Sequence, residues 1–196
     1  MIATDKEMQL VAQVSNDISR HEQYREFAHP SPHSKLFLHN QEERWGYKPA
    51  REIVKGWENP PSDEELEQLG SPWHVGYGFA EHVNIDTHMT RQLASRRLEE
   101  LLLSINRDLS HTLTWYKDAS SVTKTVLMNM YYDIGRAGLL ARKNNLRYIS
   151  ERKYASAAAN MLRSTWALHA DQRARELARR LTTQEIPVPV RAQEIV

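Results

Sequence analysis

The chain has 196 residues and a mass of 22.8 kDa, with 40% hydrophobic and 26% charged residues, enough for one domain with a real core that can divide into two lobes. It has no cysteine, which excludes disulfides and thiolate metal sites and makes a cytoplasmic origin the expectation. The net charge of +1 hides an asymmetry: residues 136–180 hold eleven Lys and Arg against three acids, leaving fifteen basic and twenty-two acidic residues elsewhere, a distribution that suits an anionic polymer such as a bacterial envelope or a nucleic acid.

Thr4-Asp5-Lys6-Glu7 reads as a capping box, and Met8, Val11, Val14 and Ile18 follow at helical spacing, so a helix is expected to about His21. The acids Asp5, Glu7 and Asp17 on this segment do not fit a secretory signal, and no apolar run is long enough to cross a membrane. Pro30 and Pro32 end any helical continuation. From Ser31 to Pro72 the pattern is irregular, with prolines at 30, 32, 49, 60, 61 and 72. Its apolar residues (Leu36, Phe37, Leu38, Trp45, Tyr47, Ile53, Val54 and Trp57) predict an elaborated, packed segment rather than a bare loop. Ser62-Asp63-Glu64-Glu65 is a second capping box for a short helix that Gly70 ends. His74 to Phe79 alternates β-branched and aromatic residues with glycine, which suits a strand or hairpin edge.

After Thr90 the expectation is helical. Leu98, Leu101, Leu102, Ile105 and Leu109 mark a long helix. Ser121 is the candidate cap of the next, with Val122, Val126, Leu127, Met130 and Ile134 inward and Gly135 at its end. Shorter helices are expected over 137–149, 151–163 and 170–181, followed by an extended tail with Pro187 and Pro189. There is no internal repeat. Nor is there a phosphate loop or dinucleotide fingerprint. His29, His33 and His39 with Glu42 and Glu43 fit no metal-binding template, so no metal and no cofactor is expected.

Two sets of motifs remain. The first is His21-Glu22-Gln23-Tyr24-Arg25, continuing to His29-Pro30-Ser31-Pro32 and answered by Trp73-His74-Val75-Gly76-Tyr77-Gly78. The second is Asn129-Met130-Tyr131-Tyr132-Asp133-Ile134-Gly135, then Asn144-Asn145-Leu146-Arg147, Ala157-Ala158-Ala159-Asn160, Ser164-Thr165-Trp166 and Arg173-Ala174. In this order they resemble the phage-type (T4-like) lysozymes, the muramidases of glycoside hydrolase family 24. The resemblance covers roughly residues 5–32 and 73–181 and leaves out 33–71 and the tail.

The resemblance implies one α+β, mainly helical lysozyme-like domain over 1–196. It would have a small N-terminal lobe (1–90) with a β-hairpin and the 33–71 insertion, a larger helical lobe (91–185) and a tail (186–196). It implies hydrolysis of the β-1,4 bond between N-acetylmuramic acid and N-acetylglucosamine, with Glu22 as general acid. A carboxyl at a helix end among aromatics suits that task; a surface glutamate paired with Arg25 is the bland alternative. Two departures stand out. Ser31 occupies the place of the family's catalytic aspartate, and His74 that of its hairpin threonine. A neutral imidazole can accept a proton where a serine cannot, so His74 is the candidate base or nucleophile, with Ser31 orienting it or the water. Otherwise His74 only packs beside Trp73, a carboxylate from Glu42 or Glu43 enters the site, or Glu22 acts alone as in a lytic transglycosylase.

Tyr132, Asn145, Asn160 and Ala80 fall where the family contacts sugar. An aromatic face and amides suit that role, but Tyr132 could equally be core, and the asparagines caps or interhelical bonds. Trp166 reads as core. The implied partner is bacterial peptidoglycan, with other anionic envelope polymers as candidates. A monomeric endolysin would pass from host cytoplasm to periplasm or wall through a holin. A catalytically inactive peptidoglycan-binding module and a bacteriocin-type or secreted effector stay open. A nucleic-acid partner is not expected, because base-stacking motifs are lacking.

Overall fold

The computed structural model describes residues 3–184. They form two compact units: residues 15–101, and residues 3–14 together with 102–184. Helix α1 (Asp5–Glu22) starts in the second of these and ends in the first. Its capping box is formed: the Glu7 carboxylate accepts from the Thr4 amide at 2.8 Å, and Thr4 Oγ1 accepts from the Glu7 amide at 3.3 Å. Val11, Val14 and Ile18 are buried, whereas Met8 stays exposed.

In the 15–101 unit the chain leaves α1 through Gln23, whose φ of 50° is left-handed, and enters strand β1 (Arg25–Pro30). The sequence patterns did not announce this strand. Its antiparallel partner is β2 (Trp73–Gly76), with Arg25 opposite Gly76, His29 opposite His74 and Pro30 opposite Trp73. Between Arg25 and His29 the register slips: four steps along β1 match two along β2, the mark of a bulged strand. Beyond β2 a tight turn through Gly76 (φ 69°) and Gly78 (φ 98°) reverses the chain. The Val75 and Phe79 amides each donate to the other's carbonyl at 2.9 Å. Left-handed φ at both positions calls for glycine.

The segment between the strands is packed, as its apolar content predicts. It forms α2 (Lys35–His39), α3 (Ala50–Val54) and α4 (Asp63–Gly70). Leu36, Trp45, Ala50, Ile53, Val54 and Leu66 join Ala28, Trp73 and Ile85 in one hydrophobic core. Ser62 and Glu65 cap α4 reciprocally. Glu67 then ties α4 to β2 and to the loop after the glycine turn: its carbonyl accepts from the Trp73 indole at 3.1 Å, and its carboxylate from the Ile85 amide at 2.8 Å. Helix α5 (Arg91–Thr112) begins in this unit and continues into the other. Leu98, Leu102, Ile105 and Leu109 form its buried stripe, but Leu101 points off it at 38% exposure.

The other unit is helical throughout its described residues. A short 3-10 turn (Tyr116–Asp118) leads to α6 (Ser121–Leu140), followed by α7 (Lys143–Ser150), α8 (Tyr154–Leu162), α9 (Thr165–His169) and α10 (Asp171–Thr183). Helix α10 packs on α8, α9 and α6, and α7 packs on α8. The run Val126 to Met130 is buried on every face, so α6 is a central helix. Ser120 rather than Ser121 caps it, accepting from the Thr123 amide at 3.1 Å. Gly135, at φ 69° and ψ 172°, breaks the helical backbone where the sequence predicts an end, and a second short helical stretch follows it to Leu140 within α6. The helix expected over 137–149 is therefore the last turn of α6 plus α7, and that over 151–163 is α8. The tail beyond residue 184 lies outside the described residues.

A Cβ on Gly70 would run into the Trp73 indole ring. Gly70→Ala must displace the buried Trp73 ring and is expected to cost about 1–3 kcal/mol, read as a lower urea midpoint with unchanged slope.

Candidate functional site

The candidate catalytic residues Glu22, Ser31 and His74 all belong to the 15–101 unit. Glu22 is the last residue of α1 and is half-buried. Ser31 directly follows β1, and His74 is the second residue of β2. The sheet brings the last two together. Pro30 lies opposite Trp73, and the Ser31 amide donates to the Pro72 carbonyl at 3.0 Å, so Ser31 sits at the same end of the ladder as His74. The slipped register draws the Glu22 end of β1 toward them. Arg25 is only two β2 positions from His74, about 7 Å along a strand, where an unbroken ladder would need four.

Aromatic and cationic groups hold the α1–β1 junction. The Tyr24 hydroxyl donates to the Met89 carbonyl at 2.6 Å, its ring lies 5.9 Å from that of Tyr77, and the Arg91 guanidinium stacks on it at 4.3 Å. The Arg25 guanidinium lies 3.9 Å from the centre of the Tyr47 ring. Gly46 (φ 81°) permits this close approach, because a Cβ there would sit 2.7 Å from the Arg25 Cβ.

Sequence spacing groups His29 with His33 and His39. The structure pairs it instead with His74, edge to face at 5.9 Å. Burial, followed by the neighbouring His74 ring, depresses the pKa of His29 to about 4, and its Nδ1 is buried without a hydrogen-bond partner. Burial also lowers the pKa of His74, with His33 adding to the effect. Both rings are thus neutral imidazoles near pH 7. The Ser31 side chain is buried, and its Oγ accepts from the His33 amide at 3.2 Å. Glu42 is bound to the Arg44 guanidinium at 2.6 Å, and that hydrogen bond holds its carboxyl down at about 2. Among the described residues no group of three His, Asp or Glu side chains is arranged to hold a metal ion.

The candidate sugar contacts divide between the units. Ala80 is exposed just past the glycine turn of the 15–101 unit. Tyr132 on α6, Asn145 on α7 and Asn160 on α8 belong to the other. Tyr132 and Asn160 are half-buried. Asn145 is 1% exposed and its amide donates to the Ala157 carbonyl at 2.8 Å, which is the interhelical role among those open for it. Sequence patterns missed a further polar lock: Asp133 accepts from the Trp166 indole and pairs with the buried Arg173 guanidinium at 3.2 Å. Burial confirms Trp166 as core.

The described residues define a mainly helical α+β protein with one two-stranded sheet, and no described helix is long and apolar enough to cross a membrane. No family model matches the chain. Among curated proteins it is 38% identical over 53 residues to a "Probable T4-type lysozyme 1" of Dictyostelium discoideum, a match covering 27% of this chain and 31% of that protein. The chain thus spans about a third of the relative it matches, and the likeness supports kinship with lysozyme-like proteins at that partial level.

Folding holds His29 and His74 neutral, so protonation favours the unfolded chain, where an imidazole titrates near 6.5. Stability is therefore fully present above about pH 6.5 and falls as pH drops toward 4. For His29 the loss should reach about 2–3 kcal/mol by pH 4.5. Urea titrations at pH 7 and 4.5 should show a markedly smaller decline in His29→Gln than in the parent protein.

Proposed function

We propose that this chain is a muramidase that hydrolyses the β-1,4 bond between N-acetylmuramic acid and N-acetylglucosamine in bacterial peptidoglycan. The observation that carries this reading is the 38% identity to a T4-type lysozyme. The local chemistry agrees with it. Glu22 donates its proton to the glycosidic oxygen as the bond to the anomeric carbon breaks. The neutral His74 ring takes a proton from the water that attacks that carbon, and Ser31, at the same end of the sheet, orients the water. Tyr132 and Asn160, in the other unit, are a ring and an amide of kinds that suit a sugar. The charge excess over residues 136–180 favours approach to an anionic envelope.

A second reading draws on Ser31. With a hydroxyl where an inverting glycosidase would place its second carboxylate, the substrate's own 6-hydroxyl becomes the attacking group. Glu22 alone then carries the proton, as in a lytic transglycosylase. Export through a holin, as in an endolysin, is the delivery route that accompanies the hydrolytic reading.

Lysis of permeabilised Gram-negative cells, followed by turbidity, tests the proposal. Glu22→Gln should lower the rate by about 10²-fold or more; lysis by this variant at the parent rate would overturn the reading. His74→Ala, with an unchanged melting temperature, should lose about 10²-fold in hydrolysis. Mass spectrometry of the products separates the two routes, since reducing muramic ends mark hydrolysis and anhydro-muramic ends mark the transglycosylase.

A further inference from the structure

The unit made of residues 3–14 and 102–184 carries a groove of about 580 Å³ that none of the candidate catalytic or sugar-contacting residues lines. This is within the range of about 300–1,000 Å³ typical of ligand clefts. The 3-10 turn before α6 contributes Trp115 and Asp118, and the α7–α8 junction contributes Arg152 and Tyr154. Gln184, after α10, forms part of the wall and is hydrogen-bonded to Ser120 and Thr123. Both aromatic rings are half-buried rather than part of the core.

The polar groups sort into two kinds. Ser120 is occupied by its helix cap and by Gln184. By contrast, neither the Asp118 carboxylate nor the Arg152 guanidinium has a hydrogen bond or ion pair to a described residue. Arg152 also stands at φ 57°, just past the end of α7, where its amide donates to the Ile149 carbonyl. That backbone conformation favours glycine and is strained for an arginine.

We propose that this groove is a non-catalytic carbohydrate site that binds β-linked N-acetylhexosamine oligosaccharides. Two aromatic side chains beside unpaired donor and acceptor groups match a pyranose, which has apolar C–H faces and a polar rim. The acetamido group presents an N–H to Asp118 and a carbonyl to Arg152. An apolar ligand would desolvate both charges without repayment in hydrogen bonds. Asp118 and Arg152 bring opposite charges to the groove, so its own lining carries no net formal charge to select a polyanion. The site is distinct in residues and in chemistry from Glu22, Ser31 and His74, and it does not depend on their cleaving anything.

The test is a titration of full-length Glu22→Gln protein with N,N′,N″-triacetylchitotriose, followed residue by residue by ¹H–¹⁵N NMR. Saturable shifts of the Trp115 indole and of the amides of residues 150–154 are expected. Trp115→Ala should weaken binding read at residues 150–154 about tenfold, and Asp118→Asn, which leaves the aromatic rings in place, should weaken it several-fold. Shifts confined to residues 22–31 and 73–80, or affinities untouched by both variants, would overturn the assignment. So would displacement of the sugar by dextran sulfate alone and not by N-acetylglucosamine, which would mark a polyanion site. Lytic activity is measured in parallel. Loss of lysis in Glu22→Gln with no shifts at Trp115 refutes this site and leaves the proposed cleavage standing; shifts at Trp115 in a protein that never lyses cells do the reverse.

Discussion

The pairing of β1 with β2 closes a long excursion in the 15–101 unit and sets where its chemical groups stand. Joining residues 25–30 to 73–76 costs chain entropy that two short strands cannot offset by hydrogen bonds alone. The compensation comes from burial: Trp73, the first residue of β2, is sealed among side chains of the three helices that lie between the strands. The same strand that anchors the core therefore carries His74 on its next residue. Packing and chemistry share one backbone, and the slipped register sets how close the end of α1 comes to that imidazole.

Much of the helical architecture was legible because its signals are local. The Thr4 and Ser62 capping boxes involve residues three apart and form as written. The apolar content of the 33–71 segment announced packing without saying against what. β1 was not legible, because a strand exists by virtue of its partner, which lies far along the chain, and Pro30 suggested only a break. Gly135 shows the same limit from the other side. Its left-handed backbone is a local property, but helical backbone resumes immediately after it, where Arg136 bonds to Asp108 at 3.0 Å, a partner no nearby residue reveals.

The candidate site was legible as residue types and much less so as an arrangement. Glu22 is the last residue of α1, and Ser31 follows β1 at the end of the sheet where His29 pairs with His74. The partnership of His29 with His74 could not be read, since it depends on sheet register. It matters chemically, because burial first, and then the neighbouring His74 ring, keeps His29 from gaining a charge. Two neutral imidazoles therefore face each other across the β1–β2 ladder, and Ser31 follows at the same end of the sheet. Asn145 adds a contact that its motif did not reveal: its amide N–H holds α7 to α8 through the Ala157 carbonyl.

The division of α1 between the two units bears on how the protein is made. During synthesis residues 15–101 can complete their core as soon as α5 begins to emerge. Residues 3–14, made before them, belong with a body whose last described helix is α10. The apolar stripe of Val11 and Val14 therefore waits at least until residue 102 before the rest of its unit begins to be made. On the ribosome the unit synthesised in one stretch matures early, while the interrupted one keeps an exposed greasy flank, a natural client for holding chaperones.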